Sequence, residues 1–373
     1  MKNFFLTVSA LSAAALALAG CSSSSTAGPP PTPTPLVPKF AYVVNNGGNN
    51  VSAYTITLSS GALTPVAGSP FSPAGSNGLA VDPTGKFAYV TAPGTNNVYA
   101  FTINASTGVL MAVPGSPFGA GTSPQGVAVD PTGKFAYVPD ELSNNVSAYT
   151  INPSTGALTP VPGSPFGAGT SPIGVAVDPT GKFVYVSNPG SNNVSAYTIN
   201  PSTGALIAVA GSPFGAGTGP EGVAVDSTGA FVYVPNAGSN NVSAYMINPS
   251  TGALTPVAGS PFGAGASPQG VAVDQVGAFV YVTNDGGNSV SAYAITPLTG
   301  VLAPVPGSPF GAGSSPVGVA VDPSGAFAYV ANYFSGNVWA YGINPANGAL
   351  TPVPGQPFPA GTNPFGVAVA RMQ

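Results

Sequence analysis

The chain has 373 residues, and only 4% of them are charged: six are Lys or Arg, ten are Asp or Glu and none is His, which gives a net charge of −4. Six cations cannot neutralise a phosphate backbone, so the composition excludes a nucleic acid as a partner. Glycine (51) and proline (43) are abundant, yet 44% of the residues are hydrophobic and they recur with a fixed period. We therefore expect a folded repeat protein rather than a disordered chain.

Residues 1–20 have the features of a bacterial signal peptide. Lys2 precedes an apolar stretch that is too short for a comfortable membrane span. The stretch ends in Leu18-Ala19-Gly20-Cys21, which resembles the lipobox of bacterial lipoproteins. Cys21 is the only cysteine and cannot form an internal disulfide, whereas lipidation would explain its position. The alternative is an ordinary secretory signal with a chance cysteine.

Residues 21–38 are rich in Ser and Pro and are predicted to be a tether that begins at the lipidated Cys21. Several acyl chains on one cysteine would anchor the protein stably. We expect a lipid-anchored protein of the cell envelope, with the membrane as a partner through the lipid. Ser22 after the cysteine favours the outer membrane or the cell surface.

A unit of about 48 residues is repeated seven times after the tether. Its tag Phe-(Ala/Val)-Tyr-Val begins at Phe40, Phe87, Phe135, Phe183, Phe231, Phe279 and Phe327. A second tag, Gly-(Val/Leu)-Ala-Val, begins at Gly78, Gly126, Gly174, Gly222, Gly270, Gly318 and Gly366. The first unit lacks the second tag in front of it, and the last copy of that tag has no unit behind it. A closed ring explains this offset, because the last strand then completes the first unit and leaves no unpaired edge.

The third unit shows how one repeat is expected to fold. Three runs rich in β-branched, aromatic or small apolar residues cover 126–130, 135–138 and 144–151, and a shorter one covers 157–161. Turn sequences with Pro and Gly separate them. The sequence thus predicts four antiparallel strands per unit, and an all-β propeller of seven four-stranded blades over residues 39–373. Phe135 and Tyr137 should face one neighbouring blade, and Ala136 and Val138 the other.

These residues also resemble a known family. The run Gly126-Val-Ala-Val-Asp-Pro-Thr-Gly-Lys-Phe-Ala-Tyr-Val138, followed by Asn144-Asn-Val-Ser-Ala-Tyr-Thr-Ile151, looks like the YVTN-type propeller repeat. It is similar to the seven-bladed lactonase superfamily, which includes 6-phosphogluconolactonase-like propellers. The resemblance implies the fold and, as an activity, lactone hydrolysis. It also implies charged and imidazole groups near the channel mouth, but this chain has no His. No catalytic residue can therefore be carried over.

One rim of the ring is predicted to bind a ligand, because repeat-to-repeat variation concentrates there. The residue before each inner-strand Gly changes chemical class: Asn77, Gln125, Ile173, Glu221, Gln269, Val317 and Phe365. We interpret the series Asn45, Ala92, Asp140, Asn188, Asn236, Asn284 and Asn332 as part of the adjoining loop, with Glu141, Asp285, Tyr333 and Phe334 as further departures. The ligand-binding candidates are Asn77, Gln125, Asp140, Glu141, Glu221, Gln269, Asp285, Tyr333, Phe334 and Phe365. The alternative is neutral drift in loops.

Amides, carboxyls and aromatic rings suit a neutral polar ligand such as a glycan. We predict no catalytic residue, no metal site and no cofactor. A nucleophile triad needs a base, and without His only carboxylates remain for that role. A calcium site needs six or more oxygens. The repeated Asp82, Asp130, Asp178, Asp226, Asp274 and Asp322 are expected to cap turns.

The leading interpretation is therefore a monomeric, envelope-anchored binding module for a glycan or an envelope protein. Lactone hydrolysis is the alternative, and a purely structural envelope protein is the second alternative.

Overall fold

A computed structural model describes residues 37–72 and 77–372 of the chain. The predicted signal peptide, Cys21 and nearly all of the predicted tether lie outside these residues. The described part forms seven antiparallel sheets, and the predicted seven-bladed propeller is confirmed. None of the described segments is a helix long and apolar enough to cross a membrane.

Each blade has four main strands, numbered here from the channel outward, and blade 1 contains the first described residues. The inner strands of blades 2 to 7 and then of blade 1 are Leu79–Val81, Ala128–Val129, Val175–Val177, Ala224–Val225, Pro268–Val273, Pro316–Val321 and Pro364–Met372. The second strands are Val37–Asn45, Phe87–Ala92, Phe135–Asp140, Phe183–Asn188, Phe231–Asn236, Phe279–Asn284 and Phe327–Asn332. The third strands are Asn50–Ile56, Asn97–Ile103, Asn145–Ile151, Asn193–Ile199, Asn241–Ile247, Ser289–Ile295 and Asn337–Ile343. The outer strands are Leu63–Pro65, Leu110–Ala112, Leu158–Pro160, Leu206–Ala208, Leu254–Pro256, Leu302–Pro304 and Leu350–Pro352.

The ring closes in blade 1, as the sequence predicts. Ala41 pairs with Val369, and Val43 pairs with Val367, so the last strand of the chain is the inner strand of the first blade. Pairing continues to Val37 with Met372, and the strand thus begins two residues before the predicted start of the propeller at residue 39. The reason is that the last strand of the chain continues past its repeat tag, so that Arg371 and Met372 pair with Pro38 and Val37.

Six blades contain an additional two-residue strand that the sequence does not predict. These strands pair with the third strand of their blade and are Phe118–Gly119, Phe166–Gly167, Phe214–Gly215, Phe262–Gly263, Phe310–Gly311 and Phe358–Pro359. A short 3₁₀ turn is also present at Pro189–Ser191. A pairing of two residues leaves no periodic pattern, which is why sequence reasoning missed it.

The hydrophobic core lies between neighbouring blades. Phe135 and Tyr137 pack against Val184 and Val186 of the next blade, as their alternation predicts. The Tyr137 hydroxyl also donates to a backbone carbonyl of that blade, the one of Gly204, at 3.0 Å. Each interface therefore combines buried apolar area with a satisfied hydroxyl, which makes the ring a rigid support for its rims.

The repeated Asp residues have the predicted structural role. In blade 3, Asp130 Oδ1 accepts hydrogen bonds from the backbone N–H groups of Lys134 and Phe135, both at 2.7 Å. Its Oδ2 accepts from Thr132. These carboxyls are occupied by the turn between inner and second strands.

Candidate functional site

One end of the central channel opens into a cavity of about 380 Å³. All seven variable residues that precede the inner-strand Gly line this cavity: Asn77, Gln125, Ile173, Glu221, Gln269, Val317 and Phe365. Glu141, in the loop between the second and third strands of blade 3, completes the polar part of the wall. The geometry thus gathers residues that are about 48 positions apart in the chain, while their role in binding stays a prediction.

The inner-strand glycines allow neighbouring blades to approach closely around the channel. A Cβ on Gly78 would lie 2.3 Å from the Gln125 carbonyl oxygen of the next blade, and one on Gly174 would lie 2.5 Å from that of Glu221. Only glycine fits such a contact. The cavity is therefore narrow, and the side chains of all seven blades reach a common space.

Hydrogen bonds between blades occupy most of the carbonyls of this ring, and sequence reasoning missed them. In blades 3 and 5, Gly126 and Gly222 donate directly to the carbonyls of Ile173 and Gln269, at 2.9 and 3.0 Å. In blades 2, 4 and 6 a second-strand hydroxyl relays the contact. This hydroxyl accepts from the Gly N–H of its own blade and donates to the next carbonyl, and it belongs to Thr91, Ser187 and Thr283. In blades 3 and 5 the chain has Pro139 and Pro235 in place of the hydroxyl, so hydroxyl and proline alternate from blade 2 to blade 6. Since most of these carbonyls are engaged between blades, the polar groups that the wall leaves free belong mainly to side chains.

Four side chains of blades 2 and 3 form a hydrogen-bonded chain along one wall. Asn77 Nδ2 donates to Gln125 Oε1. Gln125 Nε2 donates to Glu141 Oε2 at 2.5 Å, and Ser123 Oγ donates to the same oxygen at 3.1 Å. The chain fixes the orientation of the Gln125 amide and of the Glu141 carboxyl before any ligand arrives.

Glu221 is the contrasting acid of the cavity. Its half-buried carboxyl receives no hydrogen bond from any of the described residues. Burial raises the pKa of Glu221 from its ordinary 4.5 to about 7, and the nearby carboxyls of Glu141 and Asp285 add to the rise. Near neutral pH this carboxyl therefore exchanges between a neutral form that can donate and an ionised form that can only accept.

Asp140 does not line the cavity, and its interpretation as a loop residue needs correction. It is the last residue of a second strand and is completely buried. Its Oδ2 accepts from Ser147 Oγ at 2.7 Å. In blade 4 the equivalent Asn188 instead donates to Asn193 and Ser195 of the third strand. The series that looked like loop variation thus consists of buried residues at the ends of the second strands: five amides, one carboxyl and Ala92.

Asp285, Tyr333 and Phe334 lie beside the cavity rather than in its wall. Asp285 accepts from Ser315 Oγ. The Tyr333 ring packs edge to face on Phe334, with 5.2 Å between centroids, and on the cavity residue Phe365, at 6.3 Å. The predicted rim therefore divides into a polar half, built mostly by blades 2, 3, 5 and 6, and an aromatic edge where blades 7 and 1 meet.

The other end of the channel has a second opening of about 740 Å³. Val and Ala of the inner strands line most of it, and the carboxyls there, such as that of Asp226, accept hydrogen bonds from their own turns. Across residues 37–72 and 77–372, no group of three or more Cys, Asp or Glu side chains is arranged to hold a metal ion. The variable end is therefore the better candidate site.

The fold and this cavity define a class: seven-bladed propellers with a cavity at one end of the channel. The chain belongs to the family described as Lactonase, 7-bladed beta-propeller, whose sequence profile matches residues 31–169, 78–266 and 260–364. No curated protein sequence matches the chain.

Solved structures share the fold at low sequence identity. A candidate 6-phosphogluconolactonase of Bacteroides uniformis is 18% identical, with a TM-score of 0.77 over 89% of this chain and 99% of the other. The periplasmic gluconolactonase PpgL of Pseudomonas aeruginosa is also 18% identical, with a TM-score of 0.75 over 89% of this chain and 99% of the other. A protein of Lactobacillus plantarum is 20% identical, with a TM-score of 0.73 over 89% and 99%. At such identities the likeness establishes the fold and not the activity.

Proposed function

We propose that this propeller binds a neutral, polyhydroxylated ligand of the sugar or sugar-lactone class in the cavity at the channel mouth. The observation that carries the proposal is the composition of the wall. Apolar faces come from three residues of the ring, and amide or carboxyl groups come from five side chains: Ile173, Val317 and Phe365, and Asn77, Gln125, Glu141, Glu221 and Gln269. A volume of about 380 Å³ lies in the range of small-molecule sites. Amides and carboxyls that both donate and accept match hydroxyl groups, which do the same.

The charge of the site argues for a neutral ligand rather than a phosphorylated one. None of the residues that line the cavity is Lys or Arg, and the chain has no His. Glu141 and Asp285 lie close enough to Glu221 to raise its pKa. A phosphate would meet the carboxyls of Glu141 and Glu221, with that of Asp285 nearby, and no cation, so like-charge repulsion disfavours it.

The test compares neutral and phosphorylated members of one ligand pair by calorimetry with the full chain at pH 7. We expect binding of a neutral monosaccharide or its lactone from a panel that includes glucose and glucono-1,5-lactone, and at least tenfold weaker binding of the 6-phosphate. Gln269→Leu should weaken binding by up to about tenfold through loss of a hydrogen bond. Gln275→Leu is the matched control, because Gln275 lines the opposite opening. The proposal would be contradicted if the 6-phosphate binds as tightly as the neutral ligand, or if no member of the panel binds. It would also be contradicted if Gln275→Leu weakens binding and Gln269→Leu does not.

Lactone hydrolysis is a second candidate, favoured by the family and by the raised pKa of Glu221. Ionised Glu221 would take a proton from water, whose oxygen attacks the lactone carbonyl carbon. The ring C–O bond then breaks, and the leaving oxygen takes the proton back from Glu221, which yields a hydroxy acid. The Gln269 amide, which bonds to no other side chain among the described residues, occupies the next ring position and would donate to the carbonyl oxygen.

A pH-stat assay on glucono-1,5-lactone tests this second candidate. The rate should rise with pH through about 7 as Glu221 loses its proton. Glu221→Gln should lower it by roughly 10²-fold or more, the usual contribution of a general base. Glu141→Gln, which keeps the Glu221 carboxyl, is the control and should have a smaller effect. Turnover no faster than the spontaneous reaction would leave binding as the function.

The proposed location is the cell envelope, through lipid on Cys21. The support is the Leu18-Ala19-Gly20-Cys21 sequence and the Ser- and Pro-rich segment after it. Metabolic labelling with palmitate should mark the wild-type protein and not Cys21→Ala. A labelled Cys21→Ala protein, or an unlabelled wild type, would contradict the anchor.

A further inference from the structure

Three aromatic rings form a continuous series from the cavity to the outer surface of the propeller. Phe365 lines the cavity. Tyr333 lies between Phe365 and Phe334, at centroid distances of 6.3 and 5.2 Å. Phe334 at the far end is 73% exposed. An apolar path thus leads out of the cavity.

The pair Tyr333-Phe334 is particular to blade 7. At the position of Phe334, five of the other blades have glycine, namely Gly47, Gly94, Gly190, Gly238 and Gly286, and blade 3 has Leu142. A large exposed ring in place of glycine gains almost no burial, so folding alone does not account for it.

The loop that carries the two rings is held in place. The backbone N–H groups of Tyr333 and Phe334 donate to the carbonyls of Ser315 and Ser314, at 2.7 and 3.2 Å. Ser314 N–H in turn donates to Ser335 Oγ at 2.6 Å. A fixed loop costs little ordering entropy when a ligand binds, which is typical of a preorganised contact surface.

We propose that the ligand is a chain of neutral sugar residues, with its terminal residue in the cavity and the following residue on Tyr333 and Phe334. This inference rests on the proposed function and names the ligand class of the same site. A sugar ring has hydroxyl groups at its edge and C–H groups on its faces, so it can hydrogen-bond in the polar cavity and stack on an aromatic ring outside it. The Tyr333 hydroxyl donates to no group among the described residues and can serve the second sugar.

The test measures affinity against chain length with the full protein. Three series of one to four sugar residues are titrated by calorimetry. Two series begin with glucose and continue with fragments of cellulose or of starch, and the third begins with mannose and continues with fragments of mannan. We expect at least one series in which the disaccharide or a longer member binds about tenfold more tightly than its monosaccharide. Phe334→Ala should remove most of this gain and leave the affinity for the monosaccharide unchanged. Leu142→Ala is the matched control, because Leu142 is 67% exposed at the same position of blade 3, and it should change neither.

The outcomes separate this inference from the function on which it rests. Monosaccharides and longer chains that bind equally well would overturn the extended site and leave the cavity as a sugar site. The extended site would also be overturned if Phe334→Ala weakens both ligands equally, or if Leu142→Ala has the same effect as Phe334→Ala. Binding of no member of any series would overturn both proposals.

Discussion

Asp140→Asn should stabilise the protein, and the gain should depend on pH. Burial raises the pKa of the Asp140 carboxyl from 3.8 to about 6, although hydrogen bonds from Ser147 and Gly121 partly oppose the rise. Well below pH 3.8 the carboxyl is protonated in both folded and unfolded chains and folding is not penalised, and at pH 4 the penalty is still small. As the pH rises through about 6, the unfolded chain ionises first, and the folded state loses up to about 3 kcal/mol relative to it. Asparagine does not titrate, so the variant should keep that free energy at pH 8.

The amide should also restore contacts that other blades already have. Asn236 Nδ2 donates to Asn241 Oδ1 at 2.8 Å and to Ser243 Oγ at 2.9 Å. In blade 3 the acceptor equivalent to Asn241 Oδ1 is Asn145 Oδ1, and it is buried without a partner. An unsatisfied buried polar atom costs about 1–3 kcal/mol, so the amide removes a second penalty.

The assay is the melting temperature by calorimetry at pH 4 and pH 8. We expect Asp140→Asn to raise it by several degrees at pH 8 and by clearly less at pH 4. The mirror substitution Asn188→Asp, in the next blade, should lower it at pH 8. Equal shifts of Asp140→Asn at both pH values, or a lower melting temperature at pH 8, would refute the reasoning.

Three further predictions concern the cavity and the closure of the ring. Glu221→Gln should raise the melting temperature at pH 8 and not at pH 4, since the raised pKa of Glu221 penalises the folded state as the pH rises from 4.5 through about 7. Equal changes of the melting temperature at the two pH values would contradict this. Gly174→Ala places a Cβ 2.5 Å from the Glu221 carbonyl oxygen and should lower the free energy of unfolding, measured with denaturant, by about 1–3 kcal/mol. Gly215→Ala is the control: no atom lies within 4 Å of its new Cβ, and it should change that free energy little. Deletion of residues 366–373 exposes the edge of blade 1 and should lower the melting temperature strongly; unchanged melting would contradict ring closure.

The sequence predicts the ring because its repeat is strict. The offset between Phe40 and Gly366 requires an inner strand for blade 1 from the end of the chain, and the structure pairs these segments. The alternation of Phe135 and Ala136 likewise predicts which blade each faces. The strand Phe166–Gly167 is too short to leave a pattern, and its pairing depends on tertiary contacts.

The candidate site is predictable in position but not in detail. Variation before each inner-strand glycine correctly gathers Gln125, Glu221 and Phe365 at one cavity. Variation alone cannot separate a cavity residue from a buried ladder residue, which is why Asp140 appeared among the candidates. The pKa of Glu221 depends on burial and on Glu141 and Asp285, and these distances exist only in the folded ring.

The most direct test of the account is a crystal structure of the full chain soaked with a neutral sugar that binds in calorimetry. The account predicts electron density in the cavity, with sugar hydroxyls in contact with Glu221 and Gln269. Density only at the opposite opening, beside Gln275 and Asp226, would contradict the account. A sugar bound at any other site, with no density in the cavity, would contradict it as well.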